Sequence, residues 1–197
     1  MSIRENFGRP EGLAGRLMLT GMNISHTPMA RWGLTRFAVP KNGRIADIGC
    51  GGGYNVRRLL KCSGNSIVYG VDPAEASVKK SGKVNRRELG KRCRIVRAGA
   101  EKLPFKDDIL DLATAFETVC FWQDIETCFR EIRRVLKTGG QFAVVNDFGD
   151  PEKHWEDKIP GMKAYTAEDM AYLMEKTGFA DIRISCYGFI YCVTGRA

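Results

Sequence analysis

Short apolar runs alternate with amphipathic stretches along most of this chain. Residues 44–48 form an apolar run containing an acid, Asp47, and Gly49-Cys50-Gly51-Gly52-Gly53 follows at once. Beyond it Val56, Leu59 and Leu60 recur at helical spacing, which predicts a strand, a tight turn and a helix start. The alternation then repeats. Residues 66–71 read as a second strand ending at Asp72-Pro73, and a helix follows from Ala74 through roughly Lys91. Strands are expected at 93–98, 109–116 and 141–147, with an amphipathic helix over 124–136 between the last two. Gly139 is expected to close that helix as a left-handed cap. Thr166 and Asp169 have the spacing of a capping box, so a helix begins there and ends at Thr177-Gly178-Phe179. Two final strands, near 180–187 and 188–194, would make an antiparallel hairpin. Residues 1–39 carry no strand signal; 12–18 and 29–37 read as short helices. Strands alternating with helices predict an α/β fold with a mostly parallel sheet.

The glycine turn is the centre of this pattern. Glycines let the backbone adopt conformations that a Cβ forbids and let a ligand approach it closely. The amides of the following helix start are then expected to point at that ligand. Gly49-x-Gly51 fits a dinucleotide fingerprint, but Tyr54 stands where the third glycine belongs. Asp47 would also sit badly beside a pyrophosphate. Asp72 lies a little over twenty residues past the turn, where a carboxylate can take both ribose hydroxyls of a nucleoside ligand. Its bland alternative is to cap the helix after Pro73.

Bulk properties narrow the class. A chain of 197 residues can bury one sizeable core. With 44% hydrophobic and 27% charged residues it is ordinary for a soluble globular protein. No apolar run approaches the roughly 18 residues of a spanning helix, and the start lacks a secretory pattern, so the chain reads as cytoplasmic. The seven cysteines include no Cys-x-x-Cys, and there are only two histidines, His26 and His154. Neither a disulfide framework nor a metal site is expected. The net charge of +8 is concentrated in Lys79, Lys80, Lys83, Arg86, Arg87, Lys91, Arg92, Arg94 and Arg97, opposed there by Glu88. Without interleaved aromatics to stack bases, this face reads as solvated, and nucleic acid is the disfavoured partner.

Asp47-x-Gly49-x-Gly51-x-Gly53 resembles the first motif of the class I S-adenosylmethionine-dependent methyltransferases. Asp72 resembles the second. Gly99-Ala100-Glu101-Lys102-Leu103-Pro104-Phe105 is similar to the family's Gly-Asp-Ala-x-x-Leu-Pro-Phe segment, with alanine where an acid often stands. Residues 130–140 resemble its Arg-Glu-x-x-Arg-Val-Leu-Lys-Pro-Gly-Gly block, with Thr138 for proline. The likeness is firm over roughly 40–147 and looser over 165–195. Its small-molecule, ubiquinone-biosynthesis-like members are the nearest in kind.

This resemblance implies a three-layer, doubly wound, Rossmann-like sheet of seven strands in the order 3-2-1-4-5-7-6. A helical arm, 1–39, would precede the methyltransferase domain, 40–197, pack over the methionine end of the cofactor and line part of the acceptor pocket. S-adenosylmethionine would be the cofactor and S-adenosylhomocysteine the product. Asp47, Gly49, Cys50 and Gly51 would face the methionine end. Asp72 and Pro73 would face the ribose, Ala100 and Glu101 the adenine, and Glu117 and Thr118 the crevice at the end of strand 4. The implied reaction is transfer of a methyl to a small-molecule acceptor by direct in-line displacement, in a monomer or homodimer. A general base is needed only if the acceptor must lose a proton; the candidates are Glu117, His26, His154 and Tyr165. Each also reads as an ordinary cofactor contact, local cap or surface residue. Cys120 follows Val119 rather than proline, so it is expected to pack rather than attack. Two alternatives stay open: an RNA or protein methyltransferase using the 79–97 face, and a cofactor-binding protein without turnover.

Overall fold

A computed structural model describes residues 27–147, 157 and 161–197. Seven strands form one sheet: β1 (Arg44–Ile48), β2 (Ile67–Asp72), β3 (Cys93–Arg97), β4 (Leu110–Phe116), β5 (Leu136–Asn146), β6 (Ala180–Tyr187) and β7 (Ile190–Arg196). Their spatial order is β3-β2-β1-β4-β5-β7-β6, as the resemblance implied. β7 runs antiparallel to both of its neighbours, and the other pairs are parallel. The helices are α1 (Thr27–Gly33), α2 (Tyr54–Cys62), α3 (Glu75–Val84), α4 (Ile125–Val135) and α5 (Ala167–Lys176).

The pleat sorts each strand between two cores. Ala46 and Ile48 of β1 face the core shared with Phe129 and Ile132 of α4 and with Met170 and Met174 of α5. Ile45 faces the other core, with Met29 and Ala30 of α1 and Val56, Leu59 and Leu60 of α2. α1 therefore belongs to the main core even though it lies within the expected arm. Gly33 packs directly on the sheet: a Cβ there would stand 2.7 Å from the Val145 side chain. The predicted helix at 12–18 lies outside the described residues.

Two local expectations change. The helix after Asp72 stops at Val84 rather than near Lys91. The Asn85 side chain donates to the carbonyls of Ser81 and Gly53, giving the backbone a competing set of bonds. α4 ends at Val135, and Leu136 already pairs with Leu110, so Gly139 is not its cap. Gly139 does take φ 77°, but in the bend that lets its amide donate to the carbonyl of Ala197. The capping box on α5 forms as expected, with Thr166 and Asp169 each accepting the other's amide. Among the described residues no helix is long and apolar enough to cross a membrane.

Candidate functional site

The carboxyl ends of β1, β2, β4 and β5 converge on the glycine turn. In an open parallel sheet this edge is where ligands bind. Asp47 sits on β1 opposite Thr114 of β4, pointing to the face that carries α1 and α2. It is 1% exposed. Thr114 donates its hydroxyl to Oδ1 at 2.9 Å, while Oδ2 has no hydrogen-bond partner. Burial pushes the Asp47 carboxyl up to about 7; the Thr114 bond opposes the rise and the charge of Asp72 adds to it. A buried acceptor left open in this way is costly. It is the kind of group that a cationic ligand atom would satisfy.

Asp72 ends β2 and is 8% exposed. Its Oδ2 accepts from the Gly51 amide at 2.9 Å and its Oδ1 from the Ala74 amide at 2.9 Å. These two bonds tie the glycine turn to the residues just before α3. The Ser77 hydroxyl also bonds to this carboxylate, whose remaining acceptor capacity can take a ligand hydroxyl. Burial raises this carboxyl too, against the two backbone bonds.

The amides of the turn itself are used within the fold. The Gly49 and Cys50 amides both donate to the Val71 carbonyl, at 2.8 and 2.9 Å, and Gly53 donates to Cys50. These groups shape the turn rather than point out of it. Gly49, Gly51 and Gly53 have φ of 74°, 49° and 79°, conformations that side chains rarely tolerate. A Cβ on Gly49 would collide with the Thr118 side chain, so Thr118 lies directly on the turn. A Cβ on Gly53 would stand 2.7 Å from the Cα of Ser81 and 2.7 Å from the Asn85 amide nitrogen. Gly53 thus supplies the close helix contact for which Tyr54 is too large. Cys50 turns its thiol inward, within 3.9 Å of the Ser81 hydroxyl, and burial holds that thiol well above its ordinary pKa.

The other predicted residues differ in their surroundings. Pro73 is exposed and its carbonyl accepts from Arg97 Nε. Ala100 is buried, whereas Glu101 is exposed and folds its carboxylate back toward Gly99. Glu117 follows β4 with φ 51°, an uncommon backbone state for a residue with a side chain, and its amide donates to Val145. Tyr165 lies farther round: its carbonyl accepts from the Tyr191 hydroxyl at 2.9 Å, and burial raises its own phenol. His26 and His154 lie outside the described residues. Cys120 is buried and its thiol is pushed far above neutrality, which suits packing and not attack. Among the described residues no cluster of His, Cys, Asp or Glu could hold a metal ion.

Sequence reasoning missed Thr114 and Asn146. Asn146 ends β5, is fully buried, and donates Nδ2 to the Tyr191 oxygen at 3.0 Å, while its Oδ1 has no partner. The signal was there: like Asp47 and Asp72, it is a polar residue at the carboxyl end of an apolar strand. The basic 79–97 face is also less bare than the sequence suggested. Glu75 pairs with Lys79 and lies 3.9 Å from Arg97, and Glu88 pairs with Arg92 at 3.1 Å.

Residues 46–144 match the profile of the family described as "Methyltransferase domain". The chain is 34% identical to a cycloartenol-C-24-methyltransferase of Arabidopsis thaliana over 60% of its own length and 36% of that protein's. It is 29% identical to a sterol 4-C-methyltransferase of Caenorhabditis elegans, over 61% of its length and 38% of the relative's. It thus spans little more than a third of these curated relatives. The crystal structure of a SAM-dependent methyltransferase from Aquifex aeolicus superposes with a TM-score of 0.74 at 19% identity, covering 91% of this chain and 96% of the other. That likeness is one of fold.

Proposed function

The chain belongs to the methyltransferase-domain family, and on that premise we propose that it is an S-adenosylmethionine-dependent methyltransferase acting on a small-molecule acceptor. One observation carries the reading: the buried Asp47 carboxylate, with an oxygen lacking any partner, at the base of a glycine turn anchored by Asp72. A sulfonium nucleoside with an amino-acid tail carries a positive charge for the first carboxylate and two ribose hydroxyls for the second. The residues therefore fit the group. When bound, it supplies a methyl on an already activated leaving group.

The chain's own residues then have alignment and exclusion of water as their main tasks. Asp47 would hold the cationic amino-acid end, over the backbone of Gly49, Cys50 and Gly51. Asp72 would fix the ribose, with Pro73 beside it. Ala100 offers an apolar wall for the adenine, and Glu101 is free to swing from Gly99 toward its amine. Thr118 presses on Gly49 and Glu117 is held just past the end of β4, and both would border the point of transfer. Asn146 has an open amide oxygen at the adjoining strand end and would orient a polar group of the acceptor. Glu117 is the described candidate base. Tyr165 is less suited, because burial keeps its phenol protonated. All seven cysteines are unpaired, and that state fits the reducing cytoplasm.

Isothermal titration with S-adenosylmethionine and S-adenosylhomocysteine tests the reading. Saturable one-to-one binding of both is expected. No heat at millimolar ligand would remove the proposal.

A further inference from the structure

α2 has two cationic sides, and one of them borders a cavity that no acid lines among the described residues. The cavity, of about 440 Å³, lies between α1 and α2 and is lined by Arg31, Leu34, Tyr54, Arg57, Arg58 and Lys61. Residues 54, 57, 58 and 61 follow helical spacing, so the helix itself presents three cations to one space. Arg31 adds a fourth from α1. Among the described residues none of these four cations takes part in an ion pair.

Arg58 is the fixed point. It donates to Asn55 Oδ1 at 2.8 Å and to Thr27 Oγ1 at 2.7 Å, which holds the guanidinium between the two helices. Its partial burial and the nearby charge of Arg31 lower its pKa, and the charge of Asp47 opposes them from outside the cavity lining. Arg31, Arg57 and Lys61 are exposed around the half-buried Arg58, and an anion held among them would offset their mutual repulsion. A second cavity, of about 360 Å³, lies on the other side of α2 and shares Arg57 and Lys61. It contains Glu88, which already engages Arg92 at 3.1 Å. The acid-free cavity is therefore the one poised for an external anion.

We propose that the α1–α2 cavity binds a phosphate group, carried either by a soluble phosphate ester or by a lipid headgroup. Three forked guanidinium groups and an ammonium suit a tetrahedral dianion. Tyr54 directly follows the glycine turn, so the phosphate would sit beside the cofactor crevice without sharing Asp47 or Asp72.

The test is calorimetric titration of the protein, saturated with S-adenosylhomocysteine, with inorganic phosphate and with pyrophosphate. Saturable binding is expected. Arg57→Gln and Lys61→Gln change exposed side chains and should each weaken it about tenfold, the effect of losing one charge-assisted bond. Lys176→Gln, on α5 across the sheet, should leave it unchanged. Co-sedimentation with phosphatidylcholine vesicles, with and without phosphatidic acid, separates the two sources. Binding to phosphatidic acid vesicles beyond the control assigns a lipid headgroup; phosphate binding without it assigns a soluble ester. No phosphate binding, or binding indifferent to both α2 variants, overturns the proposal. So does mutual exclusion with S-adenosylhomocysteine, which would give the cavity to the cofactor's own carboxylate. Capture of RNA with a steep salt dependence, in place of phosphate, also overturns it.

Discussion

Replacing Asp47 with Asn separates what this residue does for folding from what it does for binding. The carboxyl is raised from 3.8 to about 7, chiefly by burial. A shift of roughly 3 units corresponds to roughly 4 kcal/mol of preference for the protonated folded state. Below about pH 4 both the folded and unfolded chains carry the proton, and nothing is lost. As pH rises the unfolded chain ionises first, so stability falls until the folded carboxyl also ionises, near pH 7. Roughly 2–3 kcal/mol of this loss lies between pH 5 and 8. Asn cannot ionise and keeps an acceptor for Thr114, so Asp47→Asn should flatten that part of the curve. Urea unfolding of the ligand-free protein at pH 5, 6, 7 and 8 reads the slope for each form. The same substitution should weaken S-adenosylhomocysteine at least tenfold, since it removes the charge facing the amino group. A variant that keeps the wild-type slope, or full cofactor affinity, would refute this account of Asp47.

Three further substitutions probe the surrounding architecture. Gly53→Ala adds a Cβ at φ 79° against the Ser81 backbone, and should cost roughly 2–4 kcal/mol in denaturant unfolding from strain and overpacking together. Asp72→Asn keeps an acceptor for one backbone amide but loses charge toward the ribose; titration calorimetry should show S-adenosylhomocysteine weakened about 10- to 100-fold. Thr166→Ala removes the hydroxyl that caps α5, and should lower stability by about 1 kcal/mol with cofactor affinity unchanged, read by denaturant unfolding alongside the same titration.

The central strands β1, β2, β4 and β5 were legible because each carries an apolar run closed by a turn, and parallel strands buried on both faces must read that way. The two carboxylates were legible because they interrupt or end such runs next to glycines. What the sequence concealed was competition among local bonds. Asn85 looks like any polar residue of a basic helix until its amide is seen on the carbonyls of Ser81 and Gly53. Gly139 carries the expected left-handed backbone, but the strand pairing of Leu136 had already ended the helix. The glycine turn spends its amides on Val71 because that carbonyl lies beside it only once β1 and β2 pair. The basic face looked nearly unopposed because Glu75 is on an earlier turn of α3 than the cations it meets. Cavities between helices, such as the one bounded by Arg31 and Arg58, depend on packing distance and leave no periodic trace.

A crystal structure with S-adenosylhomocysteine tests the central claim most directly. The account predicts the ribose hydroxyls on Asp72 and the amino group within hydrogen-bond reach of Asp47. A ligand bound elsewhere, or one whose ribose does not touch Asp72, would contradict it.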